Sequence, residues 1–241
     1  MNHRWTTPAL LVSGAVLANV AFTWLGSAFD YPAVLKQPSA LVLANFRENQ
    51  TAIIGGFLIL ALASALLAPI AVLVGRLSDT RTMRIAVPIG VAAAMVQVIG
   101  LMRWPLLVPG YAADAASGDP AAVTSALTAF ERAHTLLGTV VGETLGYLLT
   151  AAWTALVVVS LGRRFAGSWF VALGGAAAAL VAAGALSPLG IPGVDTANFV
   201  GYVLWSVWLI AFAGVLVVHS RPTHLHAHSS ASATATTEVS A

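Results

Sequence analysis

Thr51–Gly75 reads TAIIGGFLILALASALLAPIAVLVG, 25 residues without one charged side chain. A helix rises about 1.5 Å per residue and a bilayer core is about 30 Å thick, so about 20 such residues cross it. Working outward, five more apolar stretches of this kind appear. The six lie at about 8–28, 51–75, 85–109, 134–161, 168–187 and 198–218, each close to the length a span requires. The expected fold is all-α: one integral membrane bundle of six transmembrane helices over residues 1–218.

The rest of the 241-residue chain agrees. Lys and Arg number 11 and Asp and Glu 9, a total of 20, where a soluble chain of this length carries about 60. Apolar residues make up 59% and the mean hydropathy is +0.87. So few charges cannot cover a water-soluble surface. That excludes an ordinary cytosolic enzyme, a nucleic-acid binder and a disordered chain, and makes the lipid bilayer the first partner. The pI near 9.4 carries little weight, because the formal net charge is only +2 and no Lys/Arg run is present. With no Cys in the sequence, disulfides, Fe–S clusters and Cys nucleophiles are excluded. Gly26-Ser27-Ala28 resembles a signal cleavage site. The apolar core before it, about 18 residues, exceeds the usual signal h-region, so the first stretch is read as a retained helix.

Orientation follows from the basic residues. With the N-terminus inside, Arg4, Arg76, Arg81, Arg84, Arg163, Arg164 and Arg221 are cytoplasmic, and Lys36, Arg47, Arg103 and Arg132 lie toward the outside. Both termini are therefore expected on the cytoplasmic side. Two outer loops, 29–50 and 110–133, are long enough to carry short interfacial helices. Ser39–Glu48 is one, and Asp119-Pro120 reads as an N-cap followed by proline at the first helical position, so the fourth helix starts well before its span. Residues 219–241, rich in His, Ser, Ala and Thr, read as a disordered cytoplasmic tail. Its His219, His224, His226 and His228 form only a weak metal-binding tract.

Inside the spans, polar residues are the informative ones, because each is costly in hydrocarbon and tends to face the bundle interior. Glu143 is the clearest. It belongs to a stripe of Thr139, Glu143, Gly146, Tyr147, Thr150 and Thr154 at spacings of three and four, one helix face turned to protein. Arg103, in the preceding antiparallel span, falls at comparable depth, and the expectation is a buried Arg103–Glu143 ion pair within a polar centre that includes Gln97 and Tyr147. Such a pair serves packing or function. Gly138, Gly142 and Gly146 mark a close helix approach within the monomer. Asn19, Gln97 and Asn198 are read as hydrogen-bonding neighbouring helices.

A second candidate site is Glu131, His134, Asp114 and Asp119 at the outer face. Glu131 and His134 have the i,i+3 spacing of carboxylate-bridged di-iron bundles, but the second Glu-x-x-His is missing. His134 and His219 lie at opposite faces and cannot share a haem. No phosphate loop, nucleophile elbow or zincin signature is present. No cofactor and no metal is expected.

Phe29-Asp30-Tyr31-Pro32, Gly100-Leu101-Met102-Arg103-Trp104-Pro105, and His134 followed by Gly142-Glu143-Thr144-Leu145-Gly146 occur in that order. With them the chain, over about residues 8–218, resembles the small bacterial membrane proteins grouped as domain of unknown function 4386. The resemblance implies a six-helix inner-membrane protein and supplies no substrate or catalytic residue. Two functions stay open. One is a non-enzymatic bundle, as sensor, accessory subunit or small transporter, and the reading leans to it. The other is a membrane-embedded enzyme acting on a lipid or isoprenoid at the outer face.

Overall fold

The computed structural model describes residues 3–219, and within them every regular element is helical. Apart from His219, the expected tail lies outside the described residues. α1 is His3–Phe29, and a short 3-10 turn over Ala33–Lys36 leads to α2, Ser39–Glu48. The second span is α3 (Gln50–Ala65) followed directly by α4 (Leu67–Gly75). The break has a chemical cause, since Pro69 has no N–H to offer the Ala65 carbonyl, where α3 ends. α5 is Arg81–Leu106, opened by Thr80, whose side chain accepts from the Met83 amide at 3.2 Å. α6 is Val108–Asp114 and α7 is Pro120–Ala133. A π-helical segment, His134–Leu145, continues α7 and passes into α8, Gly146–Ala166. α9 (Ser168–Ala183), a 3-10 stretch (Gly184–Leu189) and α10 (Val194–His219) complete the chain.

Six of these helical runs are long and apolar enough to cross a membrane, matching the six expected stretches. α2 occupies the residues expected for an interfacial helix. Asp119 caps α7, accepting from the Ala121 amide at 3.1 Å, and the fourth helical run indeed begins at Pro120.

Each spanning helix packs on the ones before and after it in the chain, and α10 closes on α1, so the six form a ring. A ring of six leaves an axial space that large side chains must fill. One end, here the turn end, carries the tight Arg76–Thr80 and Gly162–Gly167 connections; Gly162 and Gly167 take φ of 64° and 87°, open to glycine at little cost. The other, the loop end, carries the long connections with α2 and α6. The turn-end half has a dry core drawn from all six spans: Leu11, Ile70, Ala86, Trp153, Phe170, Trp208 and Phe212 among them. Trp153 and Trp208 meet edge to face at 6.1 Å across the ring. Each sits in a glycine niche: a Cβ on Gly90 would come within 2.5 Å of Trp153, and one on Gly174 within 2.6 Å of Trp208.

At the loop end the apolar contacts gather to one side, around Trp104. Its ring stacks on Phe57 at 4.7 Å and meets Phe29 edge-on at 5.1 Å, with Phe46 and Phe130 beside it. Tyr147 and Tyr202 pack with Ala151, Ala178 and Val181 on the opposite side. Between the two groups lies the polar part of the bundle.

Candidate functional site: a polar compartment in the loop-end half

Residue by residue, the site starts from a glycine ladder. A Cβ on Gly138 would meet the Arg103 guanidinium at 2.7 Å, one on Gly142 the Gly100 Cα at 3.0 Å, and one on Gly146 the Gln97 Cγ at 2.9 Å. The two antiparallel helices are thus in register as 103 on 138, 100 on 142 and 97 on 146. The small-residue pattern packs within the monomer, as expected. The π-helical turns bring the backbones closest; Gly and β-branched Thr139, Val140 and Val141 weaken the ordinary α preference there.

This register corrects one expectation. Arg103 lies opposite Gly138, about one helical turn nearer the loop end than Glu143. No nitrogen–oxygen approach within 4.0 Å joins them; the only salt bridge among the described residues is Lys36 with Asp195. Arg103, 5% exposed, instead donates from Nη1 to the Gly100 carbonyl and rests on the Trp104 ring, 5.3 Å from its centroid. Its Nε has no partner.

Glu143 is half-buried and receives no hydrogen bond. It lies within electrostatic reach of Arg103 and Asp195, and Tyr31, Tyr147 and Tyr202 are in turn within reach of it. These three tyrosines come from three different places in the chain. Asp30, in the left-handed region at φ 51°, turns the chain after α1 so that the Asp30 and Tyr31 amides return to the Gly26 and Leu25 carbonyls. Tyr31 then packs on Phe22 and Phe57. Burial first, and the Glu143 carboxylate second, push its phenol above the ordinary value, so it stays protonated. Tyr147 and Tyr202 meet at 5.8 Å.

Gln97 and Tyr147 both belong to this region: Gln97 donates to Thr150 at 2.9 Å, and Tyr147 lies against Gly184. The other expected interhelical hydrogen bonds are present too, Asn19 to Ser206 at 3.0 Å and Asn198 to the Val181 carbonyl at 3.0 Å. The second candidate site is not drawn together. Asp114, Asp119 and Glu131 are exposed, and no hydrogen bond or ion pair links them to His134. His134 turns inward instead, stacked on Phe130 at 5.9 Å, with Nδ1 buried and unpartnered. Among the described residues no three His, Asp or Glu side chains are placed to hold a metal ion.

Sequence reasoning missed Tyr31, Tyr202 and the Lys36–Asp195 pair. Tyr31 stood inside a quoted motif, and its aromatic neighbours with an Asp tolerant of a left-handed turn were the available signal.

A ring of six apolar helices around an interior acid, an interior arginine and three phenols defines a polytopic membrane protein. The chain belongs to the family described as domain of unknown function (DUF4386), whose profile matches residues 6–213. No curated protein and no solved structure matches it.

Proposed function

We propose that the protein is a non-enzymatic ligand-binding bundle of a bacterial inner membrane, a sensor or accessory subunit whose site is the compartment between Trp104 and the Tyr147–Tyr202 pair. The observation that carries this is Arg103, buried yet left with one protein acceptor and no direct counter-ion. An uncompensated buried charge costs several kcal/mol, and such groups in membrane helices are usually functional. A purely structural arginine would be expected to pair with the acid one turn away. Half-buried Glu143 and the three phenols give the compartment acceptors, donors and π-faces at once, which suits recognition better than catalysis. In this reading the arginine-bearing turn end is cytoplasmic and the compartment opens toward the outer leaflet.

Two measurements test it. Purified protein in detergent is screened by thermal shift against lipids and small metabolites; at least one stabilising ligand is expected, with the shift lost in Glu143→Gln and Arg103→Gln. A screen without any stabilising ligand, or shifts indifferent to both substitutions, overturns the reading. For orientation, the cysteine-free sequence allows single-cysteine labelling: Ser117→Cys should react with an impermeant maleimide in intact spheroplasts, and Ser78→Cys only after lysis.

A further inference from the structure

The two interior charges oppose each other without touching, and each has a distinct setting. Glu143 has no hydrogen-bond donor; Tyr147 follows it by four residues on the same helical run, and Tyr202 packs on Tyr147 with ring centroids 5.8 Å apart. A carboxylate without a donor, close in the fold to aromatic rings, suits an organic ammonium. Arg103, a turn further toward the loop end, keeps a planar fork of donors of which only Nη1 meets a protein acceptor. A guanidinium of that kind recognises a phosphate or carboxylate oxygen. A ligand with a positive charge alone would satisfy Glu143 and leave Arg103 opposed by like charge; a purely anionic one would do the reverse. At the mouth, Lys36 and Asp195 already neutralise each other and add no net field.

Resting on the reading of this compartment as a ligand site, we propose that its ligand is a zwitterion, with an ammonium centre held at Glu143 beside Tyr147 and Tyr202 and an acidic oxygen held at Arg103. The glycine ladder sets the spacing between the two poles. Gly138, Gly142 and Gly146 lock one helix against the other by backbone contact, so the charges cannot slide together and quench each other. The same chemistry has two sources: the head group of a zwitterionic lipid entering from the leaflet, or a free phosphorylated or carboxylated amine from water.

The full-length protein is studied by native mass spectrometry after exchange into mixed micelles of phosphatidylethanolamine and phosphatidylglycerol. It is studied in parallel by thermal shift in detergent with O-phosphoethanolamine, inorganic phosphate or ethylammonium. A lipid source gives phosphatidylethanolamine adducts at about tenfold excess over phosphatidylglycerol. A free source gives no lipid preference but stabilisation by O-phosphoethanolamine at concentrations about tenfold below either half-molecule. Both uphold the proposal, provided Glu143→Gln abolishes the preference. That variant is close in shape and removes no hydrogen bond, so it should fold; Arg103→Lys, which keeps the charge but not the fork, should weaken binding less than Arg103→Gln. Equal retention of both lipids together with phosphate stabilising as well as O-phosphoethanolamine marks a simple anion site and overturns this proposal while leaving the ligand-site reading intact. No adduct and no shift with any probe overturns both.

Discussion

The turn-end and loop-end halves are made from the same six helices and fill the same axial space by opposite means. Toward the arginine-rich turns, Trp153, Trp208, Phe170 and Phe212 meet inside a shell of aliphatic residues from every span. Toward the long loops, the aromatic contacts are pushed to one side around Trp104, and Arg103, Glu143 and three tyrosines take the remaining room. The first half fills the axis with apolar side chains, and its unmet polar atoms are the buried indole Nε1 groups of Trp153 and Trp208. The second keeps charges whose satisfaction within the protein is incomplete. The comparison teaches that apolar packing and interior charge are segregated along the helix axes, and experiment can break this.

The largest effect belongs to the turn end. Trp153→Ala removes a fully buried ring at the centre of the dry core and should cost roughly 3–5 kcal/mol, read as early loss of helicity on SDS titration. A near-neutral result would mean that the dry half is not what holds the ring. Next, Gly100→Ala places a methyl 2.5 Å from the Gly142 Cα and 2.8 Å from the Leu137 carbonyl, both backbone atoms that cannot step aside. The expected loss is about 1–3 kcal/mol, with disturbed ligand binding, because the spacing of the poles changes. Wild-type stability in this variant would show the ladder to be loose. Thr150→Val deletes the acceptor for Gln97 and should lower stability by about 0.6 kcal/mol, the typical worth of one interhelical hydrogen bond in a membrane. Smallest of all, Lys36→Ala breaks a pair whose side chains are 74% and 52% exposed; the change should stay under about 1 kcal/mol and shrink further in high salt. A large Lys36 effect would place structural weight at the mouth and erase the contrast between the halves.

Much of this architecture could be read from the chain because hydrocarbon is an unforgiving solvent. Twenty charges in 241 residues forced the bundle, the length of the 29–50 loop left room for a helix at Ser39–Glu48, Asp119-Pro120 announced one through capping, and Gly138, Gly142 and Gly146 announced a close approach. What those glycines approach was not legible. Counting residues from the bilayer edges at an ideal α-helical rise put Arg103 level with Glu143, whereas backbone contact sets them a turn apart, and nothing in the spacing signalled twelve π-helical residues between His134 and Leu145. Tyr31 and Tyr202 escaped for a different reason. A tyrosine counts as apolar in a composition-based scan, and only the closing of α10 on α1 and the turn at Asp30 bring these two toward Glu143.

The fourth helical run has one more consequence. From Pro120 to Leu161 it proceeds without a break in helical geometry, about 60 Å of rod at the rise of a helix, which is twice the thickness of the hydrocarbon it crosses. Thr124–Arg132 near the loop end and Glu143 in the interior are thus carried on one continuous helical run, joined through the π-helical segment His134–Leu145.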